Sequence, residues 1–142
     1  MATAARTVDI NEDVIKALRN FRFQRRSQGN AAIVIKINKA TLVMVVDEEY
    51  DNISIEGLAE ELPQNSPRYV VLSYELKHRD GRTSFPLVLI NWAPSSSETT
   101  MMTLHASALL DFQRVAEANK TIEVRDVEDG LTKEIVDNKL LS

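Results

Sequence analysis

Apolar and polar residues recur along this chain with two different periods, and the changes of period divide it into helices and strands. Apolar residues three or four apart predict a first helix that begins after Asn11 and buries Val14, Leu18 and Phe21. β-Branched residues with a period of two predict a strand over residues 31–38. The further elements predicted in the same way are a strand over 41–46, a short helix over 55–62, strands over 68–76 and 87–92, a helix over 98–118, a strand over 121–124 and a helix over 131–140.

Local signals mark several ends of these elements. Ser54 is predicted to cap the short helix and Pro63 to end it. Asp80-Gly81 predicts the turn of a hairpin between the third and fourth strands. The last helix has two candidate caps, Asp129 and Thr132.

The order α-β-β-α-β-β-α-β-α predicts an α/β fold in which helices cover a five-stranded mixed sheet. A chain of 142 residues without an internal repeat or a low-complexity linker predicts a single domain over residues 1–142. The acidic run Asp47–Asp51 is predicted to be a solvated exit from the second strand, because it lacks the ligand spacing and the glycine of a calcium loop.

The longest predicted helix, from about Glu98 to Ala118, has two apolar lines. The line spaced for the core consists of Met101, Leu104, Ala108, Phe112 and Val115. The second line consists of Met102, Ala106 and Leu110. Either the second line meets a partner or the helix is buried more than halfway round, and the pattern leaves both interpretations open. Ser95 with Glu98 has the spacing of a capping box at the start of this helix.

The net charge of −4 conceals an asymmetry along the chain. Residues 1–39 contain eight Lys/Arg and three Asp/Glu, which gives +5, and the remaining residues contain nine and eighteen, which gives −9. A basic end on an acidic body predicts electrostatic orientation towards a partner rather than general affinity for nucleic acid. No apolar run of about 18 residues is present, so no membrane span is predicted.

The sequence contains no motif for catalysis, a metal or a cofactor. With no cysteine, thiolate catalysis and cysteine-based zinc sites are excluded. The four glycines are scattered, so none forms a phosphate-binding loop, and His78 and His105 lack the spacing of metal ligands. A site assembled from distant residues stays open, but the sequence favours a binding module with no catalytic residue, no metal and no cofactor.

Several short segments, in the same order, resemble the glia maturation factor family. They are Leu18-Arg19-Asn20-Phe21-Arg22-Phe23, Asn30-Ala31-Ala32-Ile33, Val46-Asp47-Glu48-Glu49, Glu61-Leu62-Pro63, Pro67-Arg68-Tyr69, and the run from Asp80 to Leu87. This family is a branch of the actin-depolymerising factor/cofilin homology fold. The resemblance implies a single domain with a central mixed five- or six-stranded sheet sandwiched by helices. It also implies binding to the actin-related protein 2/3 complex, inhibition of branch nucleation and debranching of actin filaments, without a cofactor.

The resemblance assigns roles to two groups of residues. When His105 is aligned with a tyrosine of the family, the partner-binding face of the long helix would consist of Thr100, Met102, Thr103, Ala106, Ser107 and Leu110. The hairpin residues at the place of the filament-side contact of cofilins are Lys77, Arg79 and Arg82. Apart from the resemblance, the basic face of the first helix is expected to steer association through Arg19, Arg22 and Arg26.

Two departures from related sequences bear on the function. Cofilins carry lysines at the positions of Thr100 and Met102, so weak or no binding to plain actin is expected. The phosphorylatable N-terminal serine of the family is unmatched, since Ala2 precedes Thr3. The resemblance further implies a monomer in the cytoplasm, in actin-rich cortical structures, with no nucleic-acid or membrane partner. The competing hypotheses are cofilin-like binding and severing of actin, and an unrecognised enzyme.

Overall fold

The computed structural model describes residues 8–26, 28–128 and 130–141, which form a mixed sheet between two layers of helices. In chain order the elements are β1 (Asp9–Ile10), α1 (Glu12–Phe23), β2 (Ala31–Asn38), β3 (Val43–Tyr50), α2 (Ile55–Glu61), β4 (Arg68–Ser73), β5 (Leu76–Lys77), β6 (Thr83–Ser84), β7 (Leu87–Trp92), α3 (Thr99–Ala116), β8 (Lys120–Val124) and α4 (Lys133–Leu141). The α/β class predicted from the sequence is confirmed. No helix in this part of the chain is long and apolar enough to cross a membrane.

The main sheet has six strands in the order β1-β3-β2-β4-β7-β8. The four central strands pair antiparallel, and the two edge strands, β1 and β8, pair parallel to their neighbours. α3 therefore connects two parallel neighbours, β7 and β8, as a crossover helix. The predicted hairpin forms as a separate two-stranded sheet of β5 and β6. The strand that the element order did not predict is β1, because its two residues are too few to show a periodic pattern.

Alternate residues of the central strands supply two hydrophobic cores. On one face Ile33 and Ile35 pack with buried residues of α1 and α3, and on the other Ala32 and Val34 pack with those of α2 and α4. The predicted buried face of α1 is confirmed, since Val14, Leu18 and Phe21 are all buried. The layers therefore place α1 beside α3, opposite α2 and α4.

Both ends of the second long strand differ from the prediction. The second long strand begins at Val43 rather than residue 41, because Leu42 lies in the left-handed region at φ 57° and ends the preceding turn. The acidic run is not a strand exit. β3 continues to Tyr50, and an irregularity in its pairing with β2 places Asp47 between ladder positions, where its carboxylate pairs with Arg68 at 3.0 Å and Lys36 at 3.6 Å.

The strand predicted over residues 68–76 is divided into β4 and β5. The backbone N–H of Tyr74 still donates to Pro86 in register with the ladder, but proline has no N–H to return the bond. The N–H of Glu75 donates instead to the side chain of Asn30. The main sheet consequently ends at Ser73, and the chain turns into the hairpin.

Helix ends are confirmed at three positions and corrected at one. The side chains of Asn11, Ser54 and Thr132 accept hydrogen bonds from first-turn N–H groups of α1, α2 and α4. The other candidate cap of α4, Asp129, lies outside the described residues. The capping box predicted from Ser95 and Glu98 is wrong, because α3 begins at Thr99 without a side-chain cap.

Candidate protein-interaction surface

α3 lies on the sheet with its core line inward. Leu104, Ala108 and Phe112 are buried, as the spacing predicts, and Met101 and Val115 are half-buried at the margins. The helix ends at Ala116, two residues before the predicted end, because Glu117 adopts the left-handed conformation with φ 51°. One face of the helix is thus fixed to the molecule over about five turns.

The opposite face of α3 consists of the residues that the resemblance assigned to partner binding. Thr100, Thr103, Ala106 and Ser107 are exposed, Met102 is half-buried, and Leu110 is 59 % exposed. Four exposed large apolar side chains are found in the described residues, and Leu110 is one of them. The structure therefore places the second apolar line at the surface rather than in the core, and we call these six residues the outer face of α3.

Two hydroxyl groups of this outer face are bonded within the helix. Thr103 Oγ1 donates to the carbonyl of Thr99 at 3.0 Å, and Ser107 Oγ donates to that of Leu104 at 2.8 Å. Such back-bonding satisfies the hydroxyl hydrogen of each side chain. These two hydroxyl groups consequently have no free hydrogen to donate to a partner.

A polar cluster beneath α3 is a feature that the sequence reasoning missed. His105 is 3 % exposed, and its Nε2 lies 2.6 Å from Oδ1 of Asn91, which is also buried. The ring of His105 stacks on Tyr69 with centroids 4.0 Å apart, and Tyr69 Oη donates to the carbonyl of His105 at 2.5 Å. The signal available in the sequence was the position of His105, four residues after Met101 and next to the core residue Leu104.

Burial determines the protonation states in this cluster. Desolvation, assisted by the positive charge of Arg68, lowers the pKa of His105 to about 4. The imidazole is therefore neutral near pH 7 and has one N–H, and since Oδ1 of Asn91 can only accept, that hydrogen is on Nε2. Desolvation also raises the pKa of Tyr69, so its hydroxyl remains a donor.

The hairpin carries the second group of predicted site residues. Lys77, Arg79 and Arg82 are exposed around the turn, where Gly81 adopts φ 92°. Arg82 Nε lies 2.6 Å from Oδ2 of Asp80, and backbone and side-chain hydrogen bonds from Arg82 lower the pKa of that carboxyl group. One of the three positive charges is therefore partly neutralised at the tip. In the part of the chain that the structure describes, no hydrogen bond or ion pair joins the hairpin to α3.

The three arginines assigned to steering have different environments. Arg19 is exposed and forms none of the ion pairs found among the described residues. Arg22 pairs with Glu117 at 3.3 Å, just after α3. Arg26 has a side chain only 8 % exposed, which pairs with Asp51 at 3.3 Å and lies over the ring of Phe21. Arg19 is thus exposed to a partner, Arg22 is paired with a residue at the end of α3, and the side chain of Arg26 is largely buried.

Comparison with known proteins identifies the family. The model of cofilin/tropomyosin-type actin-binding proteins matches residues 7–141. Glia maturation factor beta of Homo sapiens is 40 % identical over 132 residues, covering 93 % of this chain and 92 % of that protein. The chain belongs to the glia maturation factor family. The resemblance read from the sequence is confirmed.

Other members of the glia maturation factor family agree in sequence and structure. Glia maturation factor of Drosophila melanogaster is 34 % identical over 93 % of this chain and 94 % of its own length. The solution structure of glia maturation factor from Caenorhabditis elegans superimposes with a TM-score of 0.81 at 29 % identity, covering 98 % of this chain and 99 % of that one. Members of this family are non-enzymatic actin regulators, so the prediction that this chain is not an enzyme is confirmed.

Proposed function

We propose that this protein binds the actin-related protein 2/3 complex, inhibits nucleation of new branches and promotes debranching of actin filaments. The observation that carries the proposal is the outer face of α3, an exposed apolar surface on a rigid helix in a chain 40 % identical to a glia maturation factor. No cofactor takes part. The protein acts as a monomer in the cytoplasm, in actin-rich cortical structures, and neither nucleic acid nor a membrane is a partner.

The outer face of α3 occupies a cleft of an actin-like subunit of the complex. Leu110 and Met102 have the largest apolar side chains on this face. Complete burial of an exposed side chain of this size contributes about 1.5–3 kcal/mol before the costs of ordering are subtracted. Leu110 supplies most of this free energy, because Met102 is already half-buried.

The hairpin supplies the contact with the filament. Lys77 and Arg79 are exposed cations on a two-stranded element separate from the main sheet, and exposed cations favour contact with an acidic partner surface. A protein that binds the complex through α3 and the filament through the hairpin contacts both sides of a branch junction. Debranching then depends on both surfaces, whereas binding to the isolated complex depends on α3.

Cofilin-like binding to plain actin is the second candidate, supported by the family match to actin-binding proteins. The chain carries Thr100 and Met102 where cofilins carry lysines, so the outer face of α3 lacks the two cations of that mode. We therefore propose weak or no binding to actin monomers and to unbranched filaments.

A direct comparison of ligands tests the proposal. Immobilised protein is incubated separately with purified actin-related protein 2/3 complex, actin monomer and unbranched filaments at equal subunit concentrations. Retention of the complex with little retention of either form of actin is expected. Retention of actin with no retention of the complex would overturn the proposal and support the cofilin-like function. A debranching assay on preformed branches then measures whether binding is followed by release of branches.

A further inference from the structure

Apolar residues occupy more of α3 than the sheet can cover. The core line of Leu104, Ala108 and Phe112 is flanked by half-buried Met101 and Leu109. The exposed line of Met102, Ala106 and Leu110 lies beside these flanking residues, since Met102 follows Met101 and Leu110 follows Leu109. Residues one turn apart lie on the same face of a helix, so a shift of α3 by four residues would still place an apolar line, Ala108, Phe112 and Ala116, on the sheet. Burial of apolar surface alone therefore does not select a single register of this helix.

Polar contacts beneath α3 do distinguish the registers. Tyr69 of β4 and Asn91 of β7 lie directly opposite each other in the antiparallel ladder. His105 lies over both, with its Nε2 2.6 Å from Asn91 and its ring stacked on Tyr69. The other face of Tyr69 stacks on Phe112, two turns along α3, with centroids 4.6 Å apart. The ring of Tyr69 is thus held between two side chains of the same helix.

Alternative placements of α3 would remove the partner of Asn91. A shift by one turn would bring Met101 or Leu109 to the place of His105. Neither side chain donates a hydrogen bond, so Asn91 would remain buried without a partner. A buried polar group left unpaired is costly, whereas a paired one contributes little net stability. The cluster therefore penalises wrong placements more than it stabilises the right one.

We propose that the His105–Asn91 pair selects the register of α3, and so determines which residues the helix presents to its partner. Single buried polar residues serve in this way in coiled coils, where they fix the register at some cost in stability. His105 and Asn91 are positioning residues, since neither belongs to the outer face. The part of this inference that concerns the partner rests on the proposed function, and the part that concerns the helix does not.

An apolar replacement of the whole pair tests the proposal. In the double variant His105→Phe with Asn91→Leu, the core remains apolar and no buried polar group is left unpaired. The melting temperature is expected to be equal to or above that of the wild type. The amide resonances of α3 are expected to broaden or double. Affinity for the actin-related protein 2/3 complex is expected to fall at least tenfold, which corresponds to a competent placement populated at about one-tenth or less.

The controls separate placement from ordinary packing. Ser73→Ala removes a buried polar group from β4 outside this cluster, and it is expected to leave one set of α3 resonances and normal binding. Asn91→Asp keeps an acceptor at the same position, and it is expected to keep one set of α3 resonances. If the first double variant does not fold, His105→Leu with Asn91→Val offers smaller side chains for the same measurement.

Several results would overturn the proposal. A well-folded double variant with one set of α3 resonances at their wild-type positions would show that packing alone places the helix. Failure of both double variants to fold would show that the pair holds the fold rather than the placement of α3. If the wild type does not bind the complex, the proposed function fails, while the resonances of α3 still decide the inference about the helix.

Discussion

His105 is the buried residue whose chemistry is most sensitive to pH. Its pKa is about 4 in the folded protein because burial and nearby Arg68 disfavour the charged form, whereas the pKa of an exposed histidine is about 6.5. The unfolded chain therefore binds more protons than the folded one between these values. The stabilising contribution of neutral His105 is complete above about pH 6.5 and is lost as the pH falls towards 4.

This difference predicts an acid-sensitive melting temperature. Between pH 6 and 4.5 the free energy of unfolding is expected to fall by up to about 1.4 kcal/mol per pH unit from this residue alone. The variant His105→Phe with Asn91→Leu should lose that part of the slope, and urea titrations at several pH values measure it. Equal slopes for the wild type and the variant would mean that His105 is not the titrating group.

The outer face of α3 gives a prediction for that helix. Met102→Asp with Leu110→Asp is expected to reduce affinity for the complex by at least tenfold, about 1.4 kcal/mol, because two carboxylates would have to enter an apolar cleft. The fold is expected to remain nearly intact, since Leu110 is 59 % exposed and Met102 is half-buried. Pull-downs and thermal melts of the same preparation measure the two properties.

A matched control adds the same charge elsewhere. Gln64→Asp with Asn65→Asp introduces two carboxylates at exposed positions of the loop before β4, and normal binding is expected. Precipitation or a large fall in melting temperature of the α3 variant would place its residues in the core, and normal binding by a folded variant would remove this face from the interface.

The hairpin of β5 and β6 gives a second prediction at the level of an element. Replacement of Lys77, Arg79 and Arg82 by alanine is expected to weaken debranching more than binding to the isolated complex. The physical reason is that the proposed filament contact is made only at a branch. Binding and debranching are measured on the same variant, and a control in which Lys16, Lys120 and Arg125 are replaced removes equal charge elsewhere. Equal losses in the two assays would contradict a separate role for the hairpin.

Elements with a strong period were predictable from the sequence, and those shaped by tertiary contacts were not. The core line of α3 and the buried face of α1 followed from spacing, because each repeats at steps of three and four residues along its helix. The serines before α3 resembled caps, but Ser95 and Ser96 bond to other loops, and Glu98 pairs with Lys39 at 2.8 Å. Likewise β1 is defined only by pairing with β3, which no local pattern reports.

The candidate site was predictable in part. The spacing of Met102, Ala106 and Leu110 indicated a second line, and the structure was needed to place it at the surface. The burial of Arg26 and the contact of His105 with Asn91 both join residues distant in sequence. Such contacts depend on the layers of the fold, so a linear pattern does not contain them.

The charge asymmetry of the sequence becomes an asymmetry between the two faces of the molecule. Arg19 and Arg22 lie on α1, in the layer that also contains α3, while Glu56, Glu60 and Glu61 lie on or at the end of α2 in the opposite layer. The positive charge therefore flanks the outer face of α3. An acidic partner would be drawn to this side of the molecule first.

This arrangement predicts the kinetics of association. Arg19→Ala is expected to slow association with the complex at low ionic strength and to reduce its dependence on salt, with little change in the dissociation rate. Arg26→Ala is expected instead to lower the melting temperature, because its side chain is enclosed. Stopped-flow measurements at several salt concentrations test this, with Arg125→Ala as a control of equal charge. An unchanged association rate for Arg19→Ala would leave that residue as an ordinary solvated side chain.

The internally bonded hydroxyls of Thr103 and Ser107 have a consequence for the heat of binding. Because the hydrogens of these two hydroxyl groups are already bonded within the helix, they are not taken from water when the face is covered, and dehydration of hydrocarbon is a large part of the change. Titration calorimetry is expected to give a negative change in heat capacity, with an enthalpy that becomes more favourable as the temperature rises. Leu110→Ala should make that temperature coefficient smaller, whereas loss of the hairpin cations should leave it nearly unchanged.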